Sequence, residues 1–125
     1  MGKSATVAGD KDFKKYYDKL NEYDTVKLKL DEIIHQEMNY DINKGDLIKH
    51  RPYPKKYDKH KLKILYVYNL PNARRLIYTV LGKVESGKTY VFLEVLTHKE
   101  YDVAFGYHTN WDNLRALVFL ALSLE

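Results

Sequence analysis

The sequence predicts an α+β fold: an N-terminal helix hairpin packed on a small antiparallel β-sheet, followed by an apolar C-terminal helix. Three observations carry this. Apolar residues recur at helical spacing between residues 10 and 38. Runs rich in β-branched and aromatic residues alternate between residues 61 and 97, separated by polar turn sequences. A capping pattern near residue 109 then opens an apolar stretch that runs to Leu124.

At 125 residues, with 45% apolar and 30% charged composition, the chain is long enough to bury one core without staples. Residues 10–125 are expected to form one domain, with residues 1–9 as a flexible tail. That tail lacks an apolar stretch of the kind that directs export, so a cytoplasmic location is expected. With no cysteine, disulfides and thiolate metal sites are excluded.

Asp10 or Asp12 is placed to cap a first helix, in which Phe13, Tyr16, Tyr17 and Leu20 share a face. After Asn21-Glu22-Tyr23-Asp24, a second helix capped by Asp24 or Thr25 keeps Val26, Leu30, Ile33, Ile34 and Met38 on one side. So short a link predicts an antiparallel pair lying on a sheet. Pro52 and Pro54 make residues 46–60 a connection. Strand character resumes at Lys61 and runs to Tyr68. Asn69-Leu70-Pro71-Asn72 turns the chain into a strand where Arg75, Ile77 and Thr79 oppose Leu76, Tyr78 and Val80. In the next strand, Phe92, Glu94, Leu96 and His98 alternate against Val91, Leu93, Val95 and Thr97. Thr109-Asn110-Trp111-Asp112 opens the last helix, residues 110–124, which is too short to span a bilayer and too apolar to stand in water. It is expected to complete the core or to serve as a homodimer or partner surface.

The net charge of +4 is modest but unevenly distributed. Lys49, Arg51, Lys55, Lys56, Lys59, Lys61 and Lys63 fall within one connection opposed only by Asp58, a pattern that attracts polyanions. Tyr53, Tyr57, Tyr66 and Tyr68 lie close by and offer faces on which bases stack. A nucleic acid is the expected ligand, with these cations as its binding residues; a plain solvated loop is the competing reading.

Gly82-Lys83-Val84-Glu85-Ser86-Gly87-Lys88-Thr89 fits the phosphate-cradling pattern G-x-x-x-x-G-K-[ST] letter for letter. That chemistry needs a helix after the loop, so that amides at its N-terminus face the phosphates. Tyr90-Val91-Phe92-Leu93-Glu94-Val95 has strand composition instead. The motif is therefore read as a hairpin turn.

Arg75-Leu76-Ile77-Tyr78-Thr79-Val80, followed one hairpin later by His98-Lys99-Glu100-Tyr101-Asp102 and Phe105-Gly106-Tyr107, resembles the RelE/ParE superfamily of toxins, including its HigB-like members. The resemblance covers roughly residues 10–107. It implies a toxin of a toxin–antitoxin pair: an endoribonuclease cleaving mRNA on the ribosome, neutralised by a cognate antitoxin. Some relatives act on gyrase instead. Arg75 looks like the arginine that contacts the scissile phosphate, and Lys61 and Lys63 like the basic pair on the preceding strand. His98 and Lys99 sit where relatives place an active-centre His or Arg. Tyr101 is similar to the catalytic tyrosine, although Phe105 falls near the position that holds it in some relatives.

Metal-free RNA cleavage needs a base for the 2′-hydroxyl proton, cations for the phosphorane and an acid for the 5′-oxygen. His98, Glu94 and Glu100 are candidates for base or acid, Arg75 and Lys99 for charge stabilisation, and Tyr101 for an orienting donor. No cofactor is implied. The histidines outside this run, His35, His50, His60 and His108, show no metal-ligand spacing. A non-catalytic nucleic-acid or protein binder on the same fold, and a gyrase inhibitor, remain as alternatives.

Overall fold

A computed structural model describes residues 5–60, 62–83 and 87–106. The chain is α+β, built on a five-stranded mixed sheet: β1 (Ala5–Gly9), β2 (Asp46–Leu47), β3 (Tyr66–Leu70), β4 (Arg74–Lys83) and β5 (Gly87–Thr97). Among the described residues three α-helices accompany it, α1 (Lys11–Asp18), α2 (Thr25–Glu32) and α3 (His98–Phe105). The strand order is β1-β5-β4-β3-β2. Among the described residues no helix is long and apolar enough to cross a membrane. The expected C-terminal helix, residues 110–124, lies outside the described residues.

Two expectations are corrected at the first strand. Residues 5–9 are not a tail but an edge strand, and it pairs parallel with β5, from Ala5↔Lys88 to Gly9↔Phe92, so the sheet is mixed and not antiparallel. Four of its five residues are Ala, Thr or Gly, a composition with little apolar bulk to mark a strand. Pairing with β5 supplies what composition withholds, and Ala5 is buried where Thr6 is exposed.

One face of the sheet is covered by the helices. Phe13 of α1 meets Phe92 edge-on at 5.1 Å, and Val26, Leu30 and Ile33 pack into the same cluster as Leu76, Tyr78 and Tyr90. Asp24 caps α2 by accepting from the Val26 amide at 2.8 Å. The helix then widens into a π-type turn over Ile33–Glu37 and tightens through Met38–Tyr40, ending at Asp41 with φ 61°. The segment that follows is fastened to the sheet by tyrosines: Tyr68 donates to Glu37 at 2.8 Å, Tyr90 to Asp41 at 2.5 Å, and Tyr78 to Asn43. Gly45 is required here, because a Cβ would stand 2.1 Å from the Tyr78 hydroxyl oxygen.

β3 begins at Tyr66, later than the expected Lys61, and continues through Asn69 and Leu70, which were expected to turn. β4 and β5 form a long antiparallel hairpin closing at Lys83↔Gly87. Its register shifts between Ile77, opposite Glu94, and Tyr78, opposite Phe92. This bulge breaks the expected alternation. Phe92 and Val95 join the helix-side cluster, whereas Val91, Leu93 and Leu96 join the cluster on the opposite face with Ile77, Val67 and Leu65. Glu94 is thereby separated from Phe92, with which it was expected to share a face. The second face is closed partly by α3, through Phe105, and partly by Ile48 and Tyr57 from the 48–60 connection.

Candidate functional site

The expected active-centre residues gather where β5 runs directly into α3. Thr97 is the N-cap: its hydroxyl accepts from the Glu100 amide at 3.1 Å, and the Glu100 carboxylate accepts from the Thr97 amide at 2.8 Å. This reciprocal capping makes His98 the first helical residue. The His98 amide donates to the Ala73 carbonyl at 2.8 Å, tying the helix start to the β3–β4 turn. Arg75, the second residue of β4 after that turn, lies opposite Leu96 and reaches His98.

Arg75 Nη2 lies 3.1 Å from His98 Nδ1, and His98 Nε2 lies 3.1 Å from Asp102 Oδ2, one helical turn on. A guanidinium only donates, so Nδ1 must accept, and the ring proton is left on Nε2 for Asp102. The neutral Nε2–H tautomer therefore satisfies both contacts. The imidazole is about half exposed (54%) and the Asp102 side chain less so (31%), so the chain Arg75–His98–Asp102 is oriented yet open to solvent.

The other expected site residues divide by employment. Lys99 is exposed on the first turn of α3. Glu100 is exposed, and its carboxylate is engaged in the cap. Tyr101 is half-buried with its ring 5.0 Å from Phe105, which is itself buried against Tyr53 and Tyr57. Asp102 was absent from the expected set. Its signal was present in Thr97-His98-Lys99-Glu100, which matches the Ser/Thr-x-x-Glu cap and would have placed His98 and Asp102 on one helix face.

The basic connection is likewise structured. Lys49, Lys55 and Lys63 are exposed. Arg51 donates to the Lys63 carbonyl at 2.6 Å and lies over the Tyr53 ring at 4.8 Å. Lys56 pairs with Glu94 at 2.8 Å, and the buried Tyr57 hydroxyl donates to the same carboxylate. Burial, reinforced by that hydrogen bond and the Glu94 charge, holds the Tyr57 phenol well above its ordinary pKa. Lys59 falls in the short helical segment Lys55–His60, and Lys61 lies outside the described residues. Two of the four tyrosines expected to stack bases face the wrong way. Tyr66 stacks on Tyr78 at 5.3 Å beneath the helices, and Tyr68 is bonded to Glu37 in the same layer.

The phosphate-loop pattern runs straight into β5, with no helix at its end, and Lys88 instead pairs with Asp41 at 3.1 Å. The hydrogen bond from Tyr90, with help from Lys88, keeps the Asp41 carboxyl below the usual range. Among the described residues no group of three His, Asp or Glu side chains is placed to hold a metal ion. Comparison with protein-family models, with curated proteins and with solved structures finds no match to this chain.

Proposed function

We propose that the protein is a RelE-like toxin: a metal-free endoribonuclease that cleaves mRNA, acting in the cytoplasm on the ribosome and held in check by an antitoxin protein. The observation that carries this reading is the Arg75–His98–Asp102 chain, an oriented imidazole between a guanidinium and a carboxylate at the solvent-exposed junction of β5 and α3, flanked by Lys99. In this reading the two N-terminal helices form the hairpin that backs the sheet.

The chemistry follows from the contacts. In the resting site the His98 Nδ1 lone pair is occupied by Arg75. A scissile phosphate is a stronger, bidentate acceptor for a guanidinium, so its arrival draws Arg75 away and uncovers Nδ1. Nδ1 then takes the 2′-hydroxyl proton, while Asp102 stabilises the imidazolium through Nε2–H. The 2′-oxygen attacks phosphorus, with Arg75 and Lys99 offsetting the charge on the phosphorane. The bond to the 5′-oxygen breaks, that oxygen takes a proton from water, and the hydroxide left behind takes the proton that His98 Nδ1 had accepted, which returns the imidazole to its neutral form. The products are a 2′,3′-cyclic phosphate and a 5′-hydroxyl.

Brief induction in cells followed by primer extension on mRNA and end-group analysis tests this. Cyclic-phosphate ends that disappear in Arg75→Ala and His98→Ala are expected. Growth arrest with intact mRNA and inhibited gyrase would replace the reading with the gyrase-directed one. A non-catalytic nucleic-acid binder on this face stands second, favoured by the structural employment of Glu100 and Tyr101; RNA binding without cleavage would establish it.

A further inference from the structure

A cleft of about 640 Å³ opens beside the basic connection, lined by Arg51, Tyr53, Lys55, Tyr57, Asp58 and Leu62 among others. Its size is that of a small-ligand site. Its floor is firm: the Tyr53 hydroxyl donates to the Ile48 carbonyl at 2.7 Å and accepts from the Leu65 amide at 3.3 Å, and its ring meets Phe105 edge-on. Arg51 is anchored over that ring by its bond to the Lys63 carbonyl. An exposed guanidinium plane held in this way is a platform on which a base stacks.

The mixture of charges says what the occupant is. Two cations alone would suit any phosphate, but Asp58 also lines the cleft, and a carboxylate beside a phosphate is repelled. It is accommodated where it meets N–H donors. Among the four bases, guanine alone carries two adjacent donors, N1–H and N2–H₂, on its pairing edge, and these match the two oxygens of one carboxylate. We infer that this cleft is a subsite for a single unstacked guanine nucleotide, its base stacked on Arg51 and read by Asp58, its phosphate held by Lys55.

The inference rests on the reading of this face as RNA-binding, and it gives that reading a base preference. Phe105, at the far end of α3 from His98, packs on Tyr53 and Tyr57, so the subsite stands away from the Arg75–His98 pair by roughly the helix's length, about 12 Å. A guanine seated there fixes the register of the strand, and with it the phosphate presented to Arg75.

Titration of the labelled full chain with GMP, AMP, CMP and UMP, followed by amide NMR shifts, tests the site directly and without any cleavage. GMP is expected to shift residues 51–58 and to bind about tenfold more tightly than AMP, the margin of one charge-assisted hydrogen bond. Asp58→Asn is expected to erase that preference, bringing GMP and AMP to one affinity, and Arg51→Ala to weaken all four nucleotides. Equal affinities, an unaltered preference in Asp58→Asn, or shifts confined to Arg75 and His98 would overturn the subsite. Guanine-selective binding in a chain that leaves mRNA intact would retain the subsite and remove the nuclease.

Discussion

The Arg75 guanidinium and the His98 imidazole, 23 residues apart in sequence, are joined at 3.1 Å through Nη2 and Nδ1. Both are solvent-accessible, and pairs of this kind contribute under about 1 kcal/mol to stability. Arg75→Ala and His98→Ala are therefore expected to melt within a few degrees of the parent while cleavage is lost. Arg75→Lys is expected to fail as well, because an ammonium lacks the planar fork that grips phosphate. Full activity in Arg75→Lys would reduce Arg75 to a point charge.

Arg75, donating to Nδ1, and Asp102, accepting from Nε2–H, are expected to set the ring tautomer of His98 together. Long-range proton–nitrogen NMR of the imidazole should report the Nε2–H form in the parent at pH 8 and a mixture of tautomers in Asp102→Ala. A dominant Nε2–H form in both proteins would assign the orientation to Arg75 alone.

Glu100 separates a capping role from a catalytic one. A glutamine at the third helical position still closes the capping box, so Glu100→Gln should keep both melting temperature and activity, whereas Glu100→Ala should lose about 0.5–2 kcal/mol, as cap removals do. Loss of cleavage in Glu100→Gln with unchanged stability would return this carboxylate to the chemistry.

The Lys56–Glu94–Tyr57 cluster makes unequal predictions for its members. Glu94→Ala strands the buried Tyr57 hydroxyl and is expected to cost about 1–3 kcal/mol in denaturant unfolding, while Lys56→Gln should cost less than about 1. Lys56 is already paired, so its replacement should barely alter the salt dependence of RNA binding. Replacing the exposed Lys55 should flatten log K against log[salt] by about 0.7. Equal slopes for the two variants would show that RNA displaces Glu94 from Lys56.

Burial holds the phenols of Tyr16, Tyr17, Tyr57, Tyr68, Tyr78 and Tyr90 above their ordinary value, Tyr17 up to about 12. An acid whose folded pKa is raised binds its proton more tightly in the folded state, so its stabilisation is complete below pH 10 and declines as pH rises past 10. The chain is expected to unfold cooperatively in that alkaline window, with phenolate absorbance at 295 nm and circular dichroism changing together. Stepwise titration of all twelve tyrosines near pH 10 with the fold intact would contradict the burial of these six.

The sequence by itself determined the α+β class, the apolar faces of α1 and α2, the antiparallel pairing of β4 with β5, and the face of β4 that carries Arg75. Each of these depends on neighbours in the chain: Phe13, Tyr16 and Tyr17 one turn apart, or Ile77 and Thr79 two residues apart, declare their shared side through periodicity alone. The tertiary structure decided what depends on distant partners. β1 is a strand because β5 offers it an edge, and that parallel pairing makes the sheet mixed. One extra residue, Leu93, between the partners of Ile77 and Tyr78 parts Glu94 from Phe92 and puts it within reach of Lys56, and the helix start at His98 brings Asp102 to the imidazole. Tyr66 and Tyr68 looked available for bases until the helices covered them. Periodicity specifies which side chains share a face; only register and packing across the sheet specify what that face meets.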